Sequence, residues 1–348
     1  MKTRNPKAFA LALAATAAVL AAGPVATVGA ADYKPEYKIS TVVPPPFPWG
    51  EAAQRWADLV GERTDGRITM KVYPGAQLVA GEQTKEFTAM RQGIIDAAVG
   101  STINWSPQIK ELNVFSLPFL MPDYAAIDAL TGGPVGEELF GIIEGQGVVP
   151  LAWAENGFRE VTNSKHAIRT PADLQGLKMR VVGSPLFNDI FTALGANPTQ
   201  MSWADAQPAL TTGAVDGQEN PLTIYTTLKM HEIGQKHVTL WHYVADPLIF
   251  AVNRRVWDGW TDEDREIVRE AAEEAGAYGI ELAREGLTEE DPPLVREIEG
   301  YGVTVTRLSD DERQAFVDAT RGVYGDWKER IGADLVGQAE ESVAHRQQ

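Results

Sequence analysis

Two stretches far apart in the chain follow one pattern. Met90-Arg91-Gln92-Gly93-Ile94-Ile95-Asp96 and Leu210-Thr211-Thr212-Gly213-Ala214-Val215-Asp216 both read apolar-x-x-Gly-x-x-Asp, and each falls where a predicted helix gives way to a predicted strand. A glycine at such a junction closes the helix in the left-handed conformation, and the Asp leads the next strand. A duplicated unit of this kind predicts two similar α/β lobes.

The rest of the chain agrees with that reading. An extended entry at 38–43 and the turn Pro44-Pro45-Pro46-Phe47-Pro48 precede a helix at 49–61, whose Ala53, Trp56, Leu59 and Val60 share one face. Residues 67–73 alternate Ile68, Met70 and Val72 as a strand does. A helix at 82–92 runs into a strand at 94–99. Further strands are expected at 148–152, 177–182, 237–243 and 248–252, with helices at 186–194 and 204–212. Thr261-Asp262-Glu263-Asp264 opens a long Ala- and Glu-rich helix reaching Arg284. Strand and helix alternate, so the fold class is α/β. No low-complexity tether separates the halves, so crossing segments must join the lobes.

Ahead of this pattern, 1–7 carry Lys2, Arg4 and Lys7, and 8–23 form an Ala-rich apolar run ending at Pro24 and a small-residue stretch through Ala30 and Ala31. The run is shorter than the roughly 20 residues of a membrane span. Residues 1–31 therefore read as a secretory signal peptide, which makes the mature protein periplasmic with no direct membrane insertion. The whole chain carries 31 Lys and Arg against 48 Asp and Glu, a net charge of −17, and losing the leader makes it more acidic still. Such a surface repels phosphate backbones and anionic lipid, which excludes nucleic acid as a partner. The chain has no cysteine, so disulfides, thiolate metal sites and Cys nucleophiles are excluded.

Catalytic motifs are absent from the sequence. His166, His231, His237, His242 and His345 include no His-Glu-x-x-His pair, and there is no Gly-x-Ser-x-Gly elbow, Walker loop or dinucleotide fingerprint. No cofactor and no metal are expected. Asp216 and Glu219 could serve as the two carboxylates of a secreted hydrolase or lyase, the rival reading. What stands out is cationic and aromatic. Arg180 sits in a predicted buried strand beside Val181 and Val182, where a guanidinium needs an anion: either an acid of its own lobe or a ligand carboxylate matched by its planar fork. Arg159, after another strand end, is a second candidate cation. Trp49, Trp105, Trp203 and Trp241 fall at predicted turns or element ends, where aromatic faces suit either core packing or a cleft wall.

Several motifs, in order, carry a resemblance: Tyr73-Pro74-Gly75-Ala76-Gln77-Leu78, Leu117-Pro118-Phe119, Asn156-Gly157-Phe158-Arg159, Pro171-Ala172-Asp173-Leu174-Gln175-Gly176-Leu177-Lys178-Met179-Arg180, Leu194-Gly195-Ala196-Asn197-Pro198 and Gly213-Ala214-Val215-Asp216-Gly217-Gln218-Glu219-Asn220-Pro221. Together they resemble the DctP family, the solute-binding proteins of tripartite ATP-independent periplasmic (TRAP) transporters, over essentially the whole mature chain. The resemblance implies a two-lobe periplasmic binding protein fold with mixed sheets, crossing hinge strands and a long lobe-spanning helix. On that pattern lobe I comprises 32–154 with about 245–285, and lobe II 155–244 with about 286–340. It implies a small organic acid as ligand, TRAP permease membrane subunits as partners and no enzymatic turnover; a monomer is the default for a protein that must meet a permease with its lobes free.

Carried over residue by residue, Arg180 matches the arginine that pairs with the ligand carboxylate, Asn220 the asparagine that hydrogen-bonds it, and Arg159 a second arginine near its oxygens. Trp203 falls where an aromatic side chain packs on the ligand, and Ser101 and Asn104 in the region that reads ligand hydroxyls. The run Gln207-Pro208-Ala209-Leu210 departs from the family's Tyr-x-Ala-Leu, which moves the expected helix start later. Members that bind sialic acid carry a charge near Ser101, so that ligand is not expected. With Trp241, Trp49 and Trp105 added to the site, the four tryptophans favour a sugar acid or an aromatic or hydroxy acid over a short dicarboxylate. A ligand-sensing partner of a membrane receptor would share this site and differ only downstream.

Overall fold

The structure is a computed structural model and describes residues 33–346; the signal-peptide expectation for 1–31 lies outside them. Its strands are β1 Tyr37–Ser40, β2 Met70–Tyr73, β3 Ala97–Ser101, β4 Val148–Phe158, β5 Glu160–Asn163, β6 Lys178–Val181, β7 Asn197–Gln200, β8 Gly217–Asn220, β9 His237–Leu240, β10 Ala245–Asn253 and β11 Thr304–Arg307. They form two mixed sheets. The first has the order β2-β1-β3-β10-β4, with β10 antiparallel to both neighbours; the second has the order β11-β9-β5-β8-β6-β7. Two sheets, each layered with helices, give the expected two-lobe α/β architecture.

The duplicated motif has the same mechanics in both sheets. Gly93 and Gly213 cap their helices with φ of 80° and 72°. Asp96 Oδ2 accepts the Lys38 amide at 2.9 Å, and Asp216 Oδ2 accepts the Lys178 amide at 2.9 Å. The aspartate therefore staples its own strand to the start of a parallel neighbour, β1 in one sheet and β6 in the other.

Several expected boundaries move. The entry strand ends at Ser40, which frees Val42 and Val43 to turn into an inner wall. The strand expected to stop at residue 152 runs on to Phe158, because β10 pairs with it as far as Ala245↔Phe158. The helix expected to start late begins at Trp203 and carries Pro208 inside it. Ser202 caps it, its Oγ accepting the Asp205 amide at 3.3 Å, and that start outweighs the one backbone bond the proline forfeits. The long helix Asp262–Arg284 starts at Thr261 as expected and lies along β4 and the helix Pro48–Arg63. The C-terminal helix Ala333–His345 packs against the helices Tyr124–Thr131 and Pro134–Gly145. Among the described residues, no helix is long and apolar enough to cross a membrane.

Candidate ligand-binding site

Two of the chain's passages between the sheets run side by side. Arg159 is the single residue between β4 and β5, and Trp241–Val244 link β9 to β10. The Arg159 amide donates to Val244 O at 3.1 Å, tying one crossing to the other. Beside them lies a partly open cavity with about 30 Å³ of free space, room for little more than a water molecule. Apolar walls come from Val42, Val43, Trp49, Val182, Trp203 and Ile224; the polar groups are Gln83, Ser101, Asn104, Asn156, Arg159, Arg180, Asn220 and Asp246.

The two arginines are provided for differently. Arg159 is buried, its Nε and Nη2 fork the Glu219 carboxylate, with Nη2 2.9 Å from Oε1, and Nη1 lies 3.3 Å from Asp246 Oδ2. Glu219 also accepts the Tyr243 hydroxyl at 2.8 Å. Burial works against the Arg159 charge, but Glu219 and Asp246 outweigh it and hold its pKa above the usual value. Arg180 is as deeply buried, yet among the described residues no carboxylate pairs with it. Its Nε and Nη2 donate to Met201 O at 3.1 and 2.9 Å, its guanidinium carbon lies 5.4 Å from the centre of the Trp203 ring, and Nη1 is buried with no acceptor. Burial pushes its pKa down to about 10, with Glu219 opposing and Arg159 adding to the shift. At neutral pH the cavity therefore holds a charged guanidinium that is positioned by a carbonyl and a ring and left open on one nitrogen. A carboxylate is the group that satisfies it, by a charge-assisted hydrogen bond in a low-dielectric setting.

The remaining polar groups are fixed by one another. Ser101 Oγ accepts the Ile103 and Asn104 amides, so its proton points to Asp246 Oδ1 at 2.5 Å. Gln83 bridges the two halves, its Nε2 donating to Asn104 Oδ1 and its Oε1 accepting the Trp203 amide, both at 2.8 Å. Asn220 Nδ2 donates to Gln218 Oε1 at 2.5 Å. A larger open groove of about 730 Å³ lies outside the cavity, but Glu51, Glu285, Glu289 and Glu297 on its walls make it unfit for an anion.

With this geometry in view, the model of the family described as bacterial extracellular solute-binding protein, family 7 (DctP), matches residues 39–330. The chain belongs to the DctP family. A TRAP periplasmic solute-binding protein from Ralstonia eutropha, solved with bound (S)-2-hydroxy-2-methyl-3-oxobutanoate, is 62% identical, with a TM-score of 0.89 over 90% of this chain and 99% of that one. The sugar acid binding protein of Advenella mimigardefordensis, solved with galactonate, is 28% identical with a TM-score of 0.84 over 90% and 100% of the two chains. The 2,3-diketo-L-gulonate-binding periplasmic protein of Escherichia coli is 34% identical over 77% of this chain and 79% of its own. As a DctP-family member this protein is a solute-binding component of the TRAP type, specialised for small organic carboxylates, and its family is one of transport rather than catalysis.

Within this DctP-type cavity the structure brings together Arg159, Arg180, Asn220, Trp203, Ser101, Asn104 and Trp49. It places Trp105 and Trp241 elsewhere. The Trp105 ring lies against Gly100, where a Cβ would come within 2.1 Å of it, and packs on Phe87. Trp241 is enclosed by Phe191, Tyr243 and Phe316, and its Nε1 donates to Arg159 O at 3.0 Å, so it braces the crossing from behind. Asp216 and Glu219 do not form a facing pair: Asp216 holds the Lys178 amide and Lys165, and Glu219 is spent on Arg159 and Tyr243. Sequence reasoning missed Gln83, Asn156 and Asp246. Asp246 carried a legible signal, an acid entering an otherwise apolar strand expected to be buried.

Proposed function

We propose that this protein captures a short hydroxy- or keto-substituted carboxylate of the (S)-2-hydroxy-2-methyl-3-oxobutanoate class and presents it to TRAP permease membrane subunits from the periplasm as a monomer. The observation that carries the reading is the buried Arg180 guanidinium on the cavity wall, whose Nη1 has no partner among the described residues. Arg180 receives the ligand carboxylate, Asn220 and Arg159 border it, Trp203 and Trp49 cover its apolar atoms, and Ser101 and Asn104 lie towards its hydroxyl end. With Trp105 and Trp241 in the interior, only two indole faces remain for a ligand, which removes the argument for an aromatic acid. A short branched acid needs the least opening of so narrow a cavity, in line with the ligand of the Ralstonia eutropha relative.

Lobe I is proposed to comprise 32–154 with about 245–285, and lobe II 155–244 with about 286–332; the helix Ala333–His345 joins lobe I because it packs on that lobe's helices. Closure around the crossings at Arg159 and Trp241–Val244 then buries the acid. The secreted-enzyme reading has no support from the positions of Asp216 and Glu219.

Thermal unfolding of ligand-stripped protein with 2-hydroxy-2-methyl-3-oxobutanoate, galactonate and succinate tests this. A ligand at about 100 times its dissociation constant adds about 2.7 kcal/mol. The short hydroxy-keto acid is expected to raise the melting temperature in wild type and not in Arg180→Met. Failure of all three acids to shift melting, or an unchanged response in Arg180→Met, overturns the reading.

A further inference from the structure

The cavity contains a carboxylate of its own, which is an odd furnishing for an anion site. Asp246, the second residue of β10, is buried and lines the cavity with Arg180 and Arg159. Every hydrogen-bond partner its side chain has among the described residues donates to it: Ser101 Oγ at 2.5 Å, Asn156 Nδ2 at 2.8 Å and Arg159 Nη1 at 3.3 Å. Burial pushes the Asp246 pKa up, and Arg159, Asn156 and Ser101 oppose it; because Ser101 Oγ already accepts two amides, its proton goes to Asp246, and three inbound donors fit an ionised carboxylate. An ionised carboxylate offers about four lone-pair sites, so one remains for the cavity.

The charges sum to a clear demand. Arg159 and Arg180 supply two positive charges; Asp246 and Glu219 supply two negative ones. Both of those acids lie against Arg159, all three of whose guanidinium nitrogens are engaged. One ligand carboxylate can be met by Arg180. A second has no free cation to meet it and would sit, desolvated, near Asp246.

We propose that Asp246 is a specificity-determining residue that accepts a hydrogen bond from a neutral ligand hydroxyl and rejects a second carboxylate, so that the site takes hydroxy monocarboxylates and refuses dicarboxylates. This rests on the reading of the cavity as a carboxylate site. It goes beyond that reading because other TRAP solute-binding proteins with the same fold, at 28% identity, hold succinate.

The test compares near-isosteric acids by isothermal titration on ligand-stripped protein. The probes are 2-hydroxy-2-methyl-3-oxobutanoate, 2-hydroxy-2-methylpropanedioate, in which an oxygen anion replaces the acetyl methyl, and the monoamide of that diacid, in which a neutral NH2 replaces the anion. Wild type is expected to bind the keto acid at least about 100-fold more tightly than the dianion, and the monoamide at least about tenfold more tightly than the dianion. In Asp246→Asn the preference for keto acid over dianion should fall by at least about tenfold. Wild type binding the dianion as tightly as the monoamide overturns the proposal, as does an undiminished preference in a folded Asp246→Asn. Should that variant not fold, the wild-type comparison decides alone. Failure of the keto acid and the monoamide alike is instead a failure of the carboxylate-site reading.

Discussion

Arg159 and Arg180 are both buried guanidinium groups on the wall of one cavity, and they differ in what surrounds them. Arg159 is locked to Glu219 and Asp246 at the point where the chain crosses between sheets. Arg180 has a carbonyl, an indole face and an open nitrogen. Burial and residue type are shared, so neither marks the ligand contact; the missing anion does. The first arginine is part of the frame, and the second is held ready for something that arrives.

The sharpest way to break this contrast is to remove each arginine in turn. Arg159→Met leaves Glu219 and Asp246 buried without their cation, and chemical denaturation should show a loss of about 3–5 kcal/mol. Arg180→Met removes a buried charge that no carboxylate of the described residues balances, and this offsets the lost hydrogen bonds to Met201 O and the lost contact with the Trp203 ring, so stability should change by no more than about 1 kcal/mol. Ligand affinity should behave the opposite way for Arg180→Met, falling by about 100-fold or more, since truncating a buried charge partner costs about 2–5 kcal/mol. If both variants lose stability equally and Arg180→Met still binds the acid, the distinction is wrong.

The same contrast explains what could be read in advance. The duplicated Gly-x-x-Asp unit forecast two α/β halves because its mechanics are local: a left-handed cap and an aspartate on a neighbouring backbone amide. Arg180 was legible as a buried cation in need of an anion, but whether that anion belonged to the protein depended on Glu219, which chose Arg159. That choice is tertiary. Trp105 and Trp241 were misplaced for the same reason: a tryptophan at an element end faces either a cleft or the interior, and Gly100 in one case and Phe191, Tyr243 and Phe316 in the other drew the ring inward. Gln83 gave no sequence signal because its two partners, Asn104 and Trp203, come from opposite halves.

Glu86 sharpens the comparison from the acidic side. Like Arg180 it is fully buried with no ion partner among the described residues; unlike Arg180 it lies outside the cavity wall. Only Ser40 donates to it, through Oε1, and Oε2 has no partner. Burial pushes its pKa up from 4.5 to about 7. A carboxyl whose folded pKa exceeds its unfolded one binds more protons when folded, so stability falls as pH rises from about 4.5 to about 7 and levels off above. One pKa unit corresponds to about 1.4 kcal/mol, so the loss across this window is about 3 kcal/mol. Glu86→Gln should flatten that slope and raise stability at pH 8 without altering which acids bind. A pH profile identical in the variant would show that Glu86 is not the titrating group, and a change in ligand preference would show that it belongs to the site after all.

The smallest expected effect separates contacts made to the ligand from contacts that close the cavity. Gln83 touches both halves through protein atoms alone, at Asn104 and at the amide of Trp203, whose ring lies over Arg180. Gln83→Ala leaves that amide without its acceptor in the closed arrangement, at a cost of about 1–2 kcal/mol, and an open arrangement returns it to water. The variant should therefore bind every accepted acid about 5- to 30-fold more weakly, by the same factor for each, because the cost falls on closure and not on recognition. Arg180→Met and Asp246→Asn should instead change affinities acid by acid. Titrating the keto acid and the monoamide against Gln83→Ala makes the comparison: a common factor places Gln83 in the closing machinery, whereas unequal factors would mean that it reads the ligand directly and that the cavity's selectivity begins on the first-sheet side.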